Sequence, residues 1–211
     1  MTINEASASP TAGKEPSGIY DVILSDVPWR GQSGEKHYDT MSIDELLGMA
    51  DAVKSVAADN SWLFFWTTKG LHTEAEAIIK AWGFDYAQGD WITWGKLNKF
   101  GFGRHKTGLR RATEDLLVAT RGSVTAANRN VPDFLVYRVG RHSEKPHAQY
   151  AYIDDIAGMN VRRLELFARH KQPGWDAWGN EVDSDISLLE FGYPVPSDFT
   201  RAMRDNGDGD D

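Results

Sequence analysis

A chain of 211 residues is long enough for one α/β domain with a full core and too short for two substantial ones. The absence of cysteine excludes disulfides, thiolate zinc sites and cysteine nucleophiles together, while no stretch approaches the roughly 20 continuous apolar residues of a membrane span. The net charge of −8 gathers at the C-terminal end, where residues 183–211 carry eight acids against Arg201 and Arg204, so the central body is close to neutral.

Residues 1–18, rich in Ser, Ala, Thr, Gly and Pro, have little to bury and predict a disordered leader; with Glu5 and no apolar segment they are not a signal peptide. The run Val22-Ile23-Leu24 then leads into Asp26-Val27-Pro28-Trp29, which predicts a buried strand opening onto a loop. In open α/β sheets ligands bind beyond the carboxyl ends of the strands, so Asp26 stands either at the mouth of a site or in an ordinary turn. Gly31 to Lys36 predicts a flap pivoting on Gly31 and Gly34, and Ser42 to Glu45 has capping-box spacing for a helix to about Ala57. Ser61–Thr67 is a near-continuous apolar run of the kind buried in a parallel sheet, and Leu71–Trp82 has helical spacing stopped by Gly83.

Further strands are predicted within Phe84–Trp94, interrupted at Gly89, and at Asp115–Thr120, Phe134–Tyr137 and Arg163–Ala168, with a helix opening at Pro146 and running through Ile156. The alternation predicts a doubly wound, mainly parallel α/β sheet over residues 19–182, followed by an acidic, partly disordered tail at 183–211. Between Gly95 and Ala112 six cations (Lys96, Lys99, Arg104, Lys106, Arg110, Arg111) occur without an acid and are interleaved with Phe100 and Phe102. Such a stretch can meet phosphates with its cations and bases with its rings, although an ordinary solvated loop has the same composition. No strand leads into a G-x-G-x-x-G turn, no G-x-S-x-G elbow or phosphate loop occurs, and the histidines lack metal-ligand spacing.

Asp26-Val27-Pro28-Trp29 resembles the DPPW signature of the adenine N6 methyltransferases typified by the catalytic subunit of the mRNA adenosine methyltransferase, with its phage and bacterial DNA-modifying relatives. Further matches follow in order: Tyr38-Asp39-Thr40-Met41-Ser42, Leu63-Phe64-Phe65-Trp66, Trp91-Ile92-Thr93-Trp94, Glu114-Asp115-Leu116-Leu117-Val118, His142-Ser143-Glu144-Lys145-Pro146, Leu164-Glu165-Leu166-Phe167-Ala168-Arg169 and Trp178-Gly179-Asn180-Glu181. The resemblance implies a Rossmann-like S-adenosylmethionine-dependent fold with the acceptor motif before the cofactor-binding motif, and methyl transfer from S-adenosylmethionine to the N6 amine of adenine in DNA or RNA, DNA being favoured. A catalytically inactive nucleic-acid-binding or scaffolding subunit of the same fold is the alternative. By the same resemblance the catalytic set is Asp26, Val27, Pro28 and Trp29, the last packing on a flipped base. Tyr38, Trp94, Glu114, Ser143 and Lys145 would border the substrate. Asp26, Lys145, Glu165, Arg169, His170, Asn180 and Glu181 would hold the cofactor.

Trp94 on a strand equally suits the core, Glu165 a buried structural acid, and Lys145 a solvated surface. Val27 departs from the signature's first proline: its carbonyl remains an acceptor, but valine fixes φ less tightly, which predicts slower turnover. No metal is expected. Adenine-containing nucleic acid is the expected partner, a protein partner subunit stays open, no membrane is expected, and the expected location is the cytoplasm of a bacterial or phage-infected cell.

Overall fold

The computed structural model of the chain describes residues 19–30, 39–97, 106, 108–109, 111–140 and 144–205. The leader, the flap at 31–36, Tyr38, Ser143 and most of the basic stretch lie outside the described residues. The described strands form one seven-stranded sheet in the order β5-β3-β4-β2-β1-β6-β7. They are β1 (Tyr20–Ser25), β2 (Ala57–Thr67), β3 (Trp91–Lys96), β4 (Thr113–Arg121), β5 (Phe134–Tyr137), β6 (Arg163–Leu166) and β7 (Asp176–Trp178). All neighbouring pairs are parallel except the two made by β4, which runs against β2 and β3. The doubly wound, mainly parallel sheet expected from the sequence is therefore present.

Period-two alternation divides the core between the two faces of the sheet. Ile23, Leu63, Phe65 and Leu164 point into one cluster with Leu46, Val53, Ile78 and Trp82 of the helices α1 (Ile43–Gly48), α2 (Ala50–Val56) and α3 (His72–Ala81). Val22, Leu24, Phe64 and Trp66 point into the other with Tyr150 and Ile153 of α4 (Gln149–Ala157). Burial on both faces explains why β1 and the end of β2 read as unbroken apolar runs. Among the described residues no helix is long and apolar enough to cross a membrane.

Several predicted boundaries move. The capping box forms as expected: Glu45 N donates to Ser42 Oγ at 3.3 Å, and Ser42 N to Glu45 Oε2 at 2.7 Å. The single helix to Ala57 is instead broken at Met49, whose ψ is 0°. The Trp82 indole N–H donates to the Leu46 carbonyl at 2.8 Å, occupying the acceptor that a continuous helix would offer to Ala50. Phe84–Asp90 makes only an isolated bridge, Asp85 to Thr120, and the strand starts at Trp91, after Gly89 at φ +103°. Pro146 precedes α4 rather than opening it, its carbonyl accepting from Gln149 N at 2.9 Å. Strand β6 ends at Leu166 because Phe167 turns to φ +61°, a left-handed value that a bulky residue adopts only when its surroundings impose it.

The three-residue β7 had no sequence signal. The segment from 183 onward, expected as an acidic tail, folds back onto this edge. Ser184 Oγ accepts from Gly179 N at 3.0 Å, Asp185 N donates to the Ala177 carbonyl at 2.7 Å, and Leu188 and Val195 are buried in the first cluster. A final helix, α5, spans Pro196–Asp205.

Candidate active site

The carboxyl ends of β1, β2, β6 and β7 open onto one edge of the sheet, where β1 lies between strands reached from opposite sides. The reversal of β4 brings its first residues, including Glu114, to that same edge. A cavity of about 480 Å³ lies there, walled by Asp26–Trp29 after β1, Trp66–Thr68 at the end of β2, Phe167–Arg169 after β6 and Trp178–Glu181 at the end of β7. A second, of about 360 Å³, opens toward α4, where Leu24, Tyr150, Glu165 and His170 line it. Asp26, Trp66, Lys145, Phe167, Arg169 and Glu181 border both cavities, so Asp26 stands where the two spaces meet.

The Asp26 carboxylate accepts from the Lys145 ammonium with both oxygens, at 2.7 and 2.6 Å. Lys145 also lies 3.4 Å from Glu114 Oε2, and Glu114 accepts in turn from Lys96. Four side chains of alternating charge are thus linked in a row, of which Asp26, Lys145 and Glu114 line the larger cavity. The Lys145 side chain is only 12% exposed and that of Asp26 32%. Burial raises the Asp26 carboxyl above its ordinary range against the pull of Lys145. Burial would lower Lys145, but Asp26 and Glu114 outweigh it and hold the ammonium charged. Burial likewise would raise Glu114, and Lys145 and Lys96 overcome it, keeping that carboxylate ionised. A paired arrangement of this kind fixes the direction in which each carboxylate offers its remaining lone pairs.

The acceptor loop is turned tightly. Trp29 N–H donates to the Val27 carbonyl at 2.9 Å, and Met41 N–H to the Pro28 carbonyl at 2.8 Å. Each carbonyl keeps one lone pair for another donor. Val27 is buried, so the valine that replaces the signature's proline anchors the loop in the core by its side chain.

Of the remaining expected residues, Arg169 and Glu181 pair at 2.9 Å on the cavity rim, Asn180 lines the larger cavity and His170 the smaller. Two expectations are corrected. Trp94 lines neither cavity: it is 1% exposed, lies edge-on to Trp66 with ring centroids 6.1 Å apart, and donates to the Tyr137 carbonyl inside the core. Trp29 lines the cavity but is 8% exposed and packs edge-on against Phe65, so it shapes the wall from beneath more than it offers an open face. The sequence reading also missed Thr67, Thr68, Phe167 and Gly192–Pro194, all of which line the larger cavity. Phe167 carried no signal because only its positive φ, invisible in the residue type, turns the chain into the site.

Glu165 lies in the smaller cavity and accepts from the Tyr150 hydroxyl at 2.9 Å. Burial pushes its carboxyl from 4.5 up to about 7 against that hydrogen bond, with Asp26 adding to the rise. Between those values the folded chain binds more protons at this site than the unfolded chain, so the contribution of Glu165 to stability falls as pH rises from about 4.5 to about 7. Glu165→Gln keeps an acceptor for Tyr150 and removes the titration. Urea unfolding at pH 5 and pH 7.5 is expected to show the variant gaining about 2 kcal/mol on the wild type over that interval. A difference that stays flat with pH would mean that this carboxyl is well hydrated.

No group of three or more His, Cys, Asp or Glu side chains suited to a metal ion occurs among the described residues. A family model described as MT-A70 matches residues 20–181. The chain is 32% identical to the type II methyltransferase M.MunI of a Mycoplasma species, over 82% of each chain. It is 31% identical to the N(6)-adenosine-methyltransferase MT-A70-like protein of Arabidopsis thaliana and 30% identical to the N(6)-adenine-specific methyltransferase METTL4 of Homo sapiens. Those matches cover 83% and 77% of this chain but only 25% and 37% of the two longer proteins.

Proposed function

The chain belongs to the MT-A70 family, several of whose relatives bear the names of adenine N6 methyltransferases, and from that premise we propose that it transfers a methyl group from S-adenosylmethionine to the N6 amine of adenine in nucleic acid, DNA in preference to RNA. The observation that carries the reading is Asp26, set at the carboxyl end of β1 between two cavities and held by both oxygens on Lys145. Two adjoining spaces that share one carboxylate suit an elongated reactant whose two ends occupy them and whose middle faces that carboxylate.

The walls fit the cofactor by their donor set. The larger cavity combines aromatic surface from Phe167 and Trp178 with the polar groups of Asn180, Arg169 and Glu181, which suits a nucleoside with ribose hydroxyls. Lys145, Arg169, His170 and Glu165 around the smaller cavity suit an amino-acid carboxylate and ammonium. When bound, S-adenosylmethionine supplies an electrophilic methyl group on a sulfonium.

The adenine amine is a weak nucleophile because its lone pair is delocalised into the ring. Asp26 can accept one amine proton and the free lone pair of the Val27 or Pro28 carbonyl the other, which turns the nitrogen lone pair out of the ring plane. Holding that nitrogen about 3 to 3.5 Å from its target supplies much of the rate through orientation. The proton released on alkylation can pass to Asp26, whose raised pKa makes it a better acceptor than an exposed carboxylate.

The topology supports a nucleic-acid substrate. Strands β3 and β4 are antiparallel neighbours with Gly95 opposite Thr113, so the basic stretch between them starts and ends at the edge of the sheet where Glu114 lines the larger cavity. The preference for DNA rests on the near-equal length shared with the type II methyltransferase.

Transfer of labelled methyl from S-adenosylmethionine to matched DNA and RNA duplexes, with digestion to nucleosides, tests the reading. Label in N6-methyladenine from DNA is the expected result. Label from RNA alone would reverse the substrate preference, and label in no adenine from a sample that binds the cofactor would favour the scaffolding alternative.

A further inference from the structure

Gly192, Tyr193 and Pro194 line the larger cavity, yet they lie beyond residues 20–181, which match the family. This wall is therefore built by residues outside the matched span. It is held firmly from both sides. Upstream, Ser184 bonds both to Gly179 N at 3.0 Å and to Gly179 O at 3.2 Å, and Leu188 is fully buried and bridged to Tyr193. Downstream, Val195 is buried and donates to Asp198 Oδ2 at 2.9 Å. The turn between these anchors is made by Gly192 at φ +85°.

The Tyr193 hydroxyl donates to the Glu45 carbonyl of α1 at 3.3 Å and comes so close to Gly48 that a Cβ there would stand 3.0 Å from it. The phenol tip is thereby fixed on α1, and the residue contributes to the cavity wall. This flank of the cavity belongs to β7, because the segment is stitched to Ala177 and Gly179, and Asn180 and Glu181 follow closely after the strand. Trp178, whose indole nitrogen has no acceptor among the described residues, and Phe167 line the same cavity. The charged floor of Asp26, Glu114 and Lys145, to which the methyl-transfer reading assigns the reaction, is carried by the loop after β1, by β4 and by the segment before α4.

We propose that Tyr193 forms the aromatic wall on which the adenine of the cofactor rests, so that the C-terminal segment completes the cofactor site. The assignment rests on the methyltransferase reading above. It follows from the division of the cavity: a methyl group directed at Asp26 leaves the nucleoside of its donor toward β6 and β7, and a purine needs a flat apolar wall beyond the ribose. Tyr193 is a wall of that kind with its tip immobilised, so contact requires little ordering.

Calorimetric titration with S-adenosylhomocysteine in the absence of nucleic acid, on the full chain, separates the outcomes. Tyr193→Ala is expected to weaken binding roughly tenfold and Tyr193→Phe by no more than about twofold, because the ring is kept. In turnover, Tyr193→Ala raises KM for S-adenosylmethionine by a similar factor, with kcat at saturating cofactor and KM for DNA little changed. Should the alanine variant fail to fold, Tyr193→Leu, which fills the apolar space without a ring, is expected to show the same loss. If Tyr193→Phe weakens binding as much as Tyr193→Ala, the hydroxyl's hold on α1 is what matters and the wall assignment is overturned. Unchanged binding in Tyr193→Ala overturns it as well while leaving the enzyme reading intact. Failure of the wild type to bind S-adenosylhomocysteine would overturn both.

Discussion

Replacing Asp26 by Asn should reduce methyl transfer by roughly 1,000-fold or more while leaving a folded protein. The amide is the same size, but it has one acceptor oxygen in place of two and no charge, so it cannot both satisfy Lys145 and draw the amine proton. Lys145 retains Glu114 at 3.4 Å, which limits the destabilisation to about 1–3 kcal/mol. Steady-state transfer to DNA and urea unfolding measured on one preparation separate the two effects. Activity within tenfold of wild type would show that the backbone carbonyls alone activate the amine.

Lys145→Met is the second large effect, and its signature lies in pH. The substitution keeps the length of the side chain and leaves Asp26 and Glu114 facing one another without the cation between them. Lys145 opposes the burial-driven rise of Asp26 and is the foremost influence lowering Glu114, so its loss raises both carboxyls. A smaller share of Asp26 is then ionised at any given pH, leaving less carboxylate to accept a proton from the amine. The rate of the variant is expected to fall about 100-fold at neutral pH and to recover as pH is raised, with its rising limb displaced to higher pH than that of the wild type. Stability follows with the opposite sign. The raised carboxyls bind protons in the folded state, so the variant loses stability as pH rises, by an amount of order 3–5 kcal/mol once both are ionised. A pH–rate profile parallel to that of the wild type would show that Lys145 acts only on the cofactor.

The sequence showed where the chemistry sits better than how its walls are made. The strand before Asp26, the capping box at Ser42 and the stop at Gly83 depend on local residue types, and each appears as expected. Asp26, Lys145 and Glu114 were named from motifs and come together across 119 residues in the case of Asp26 and Lys145. What could not be read depends on tertiary partners. Met49 breaks a helix because an indole 36 residues from Leu46 takes a carbonyl. Trp94 was placed at the site by resemblance alone, and its strand position turns it into the core toward Trp66. The segment after 183 looked like an acidic tail because its buried residues, Leu188 and Val195, are sparse and non-periodic, and two of its acids, Asp185 and Asp198, hold backbone amides.

The bond between Asp185 and β7 bears on more than the cofactor wall. A sheet's outer strands present unsatisfied donors and acceptors that another chain can join. On the β7 side, the Ala177 carbonyl takes Asp185 N and the Ala177 amide takes the Asp185 carboxylate at 2.9 Å, so that margin is already capped by its own polypeptide. On the β5 side, Phe134, Val136 and Tyr137 remain exposed, with the Tyr152 hydroxyl covering only the Phe134 carbonyl among the described residues. Among the described residues the sheet therefore has one sealed margin and one open one, and a strand added by another molecule would meet resistance at the β7 margin and less from these residues at β5.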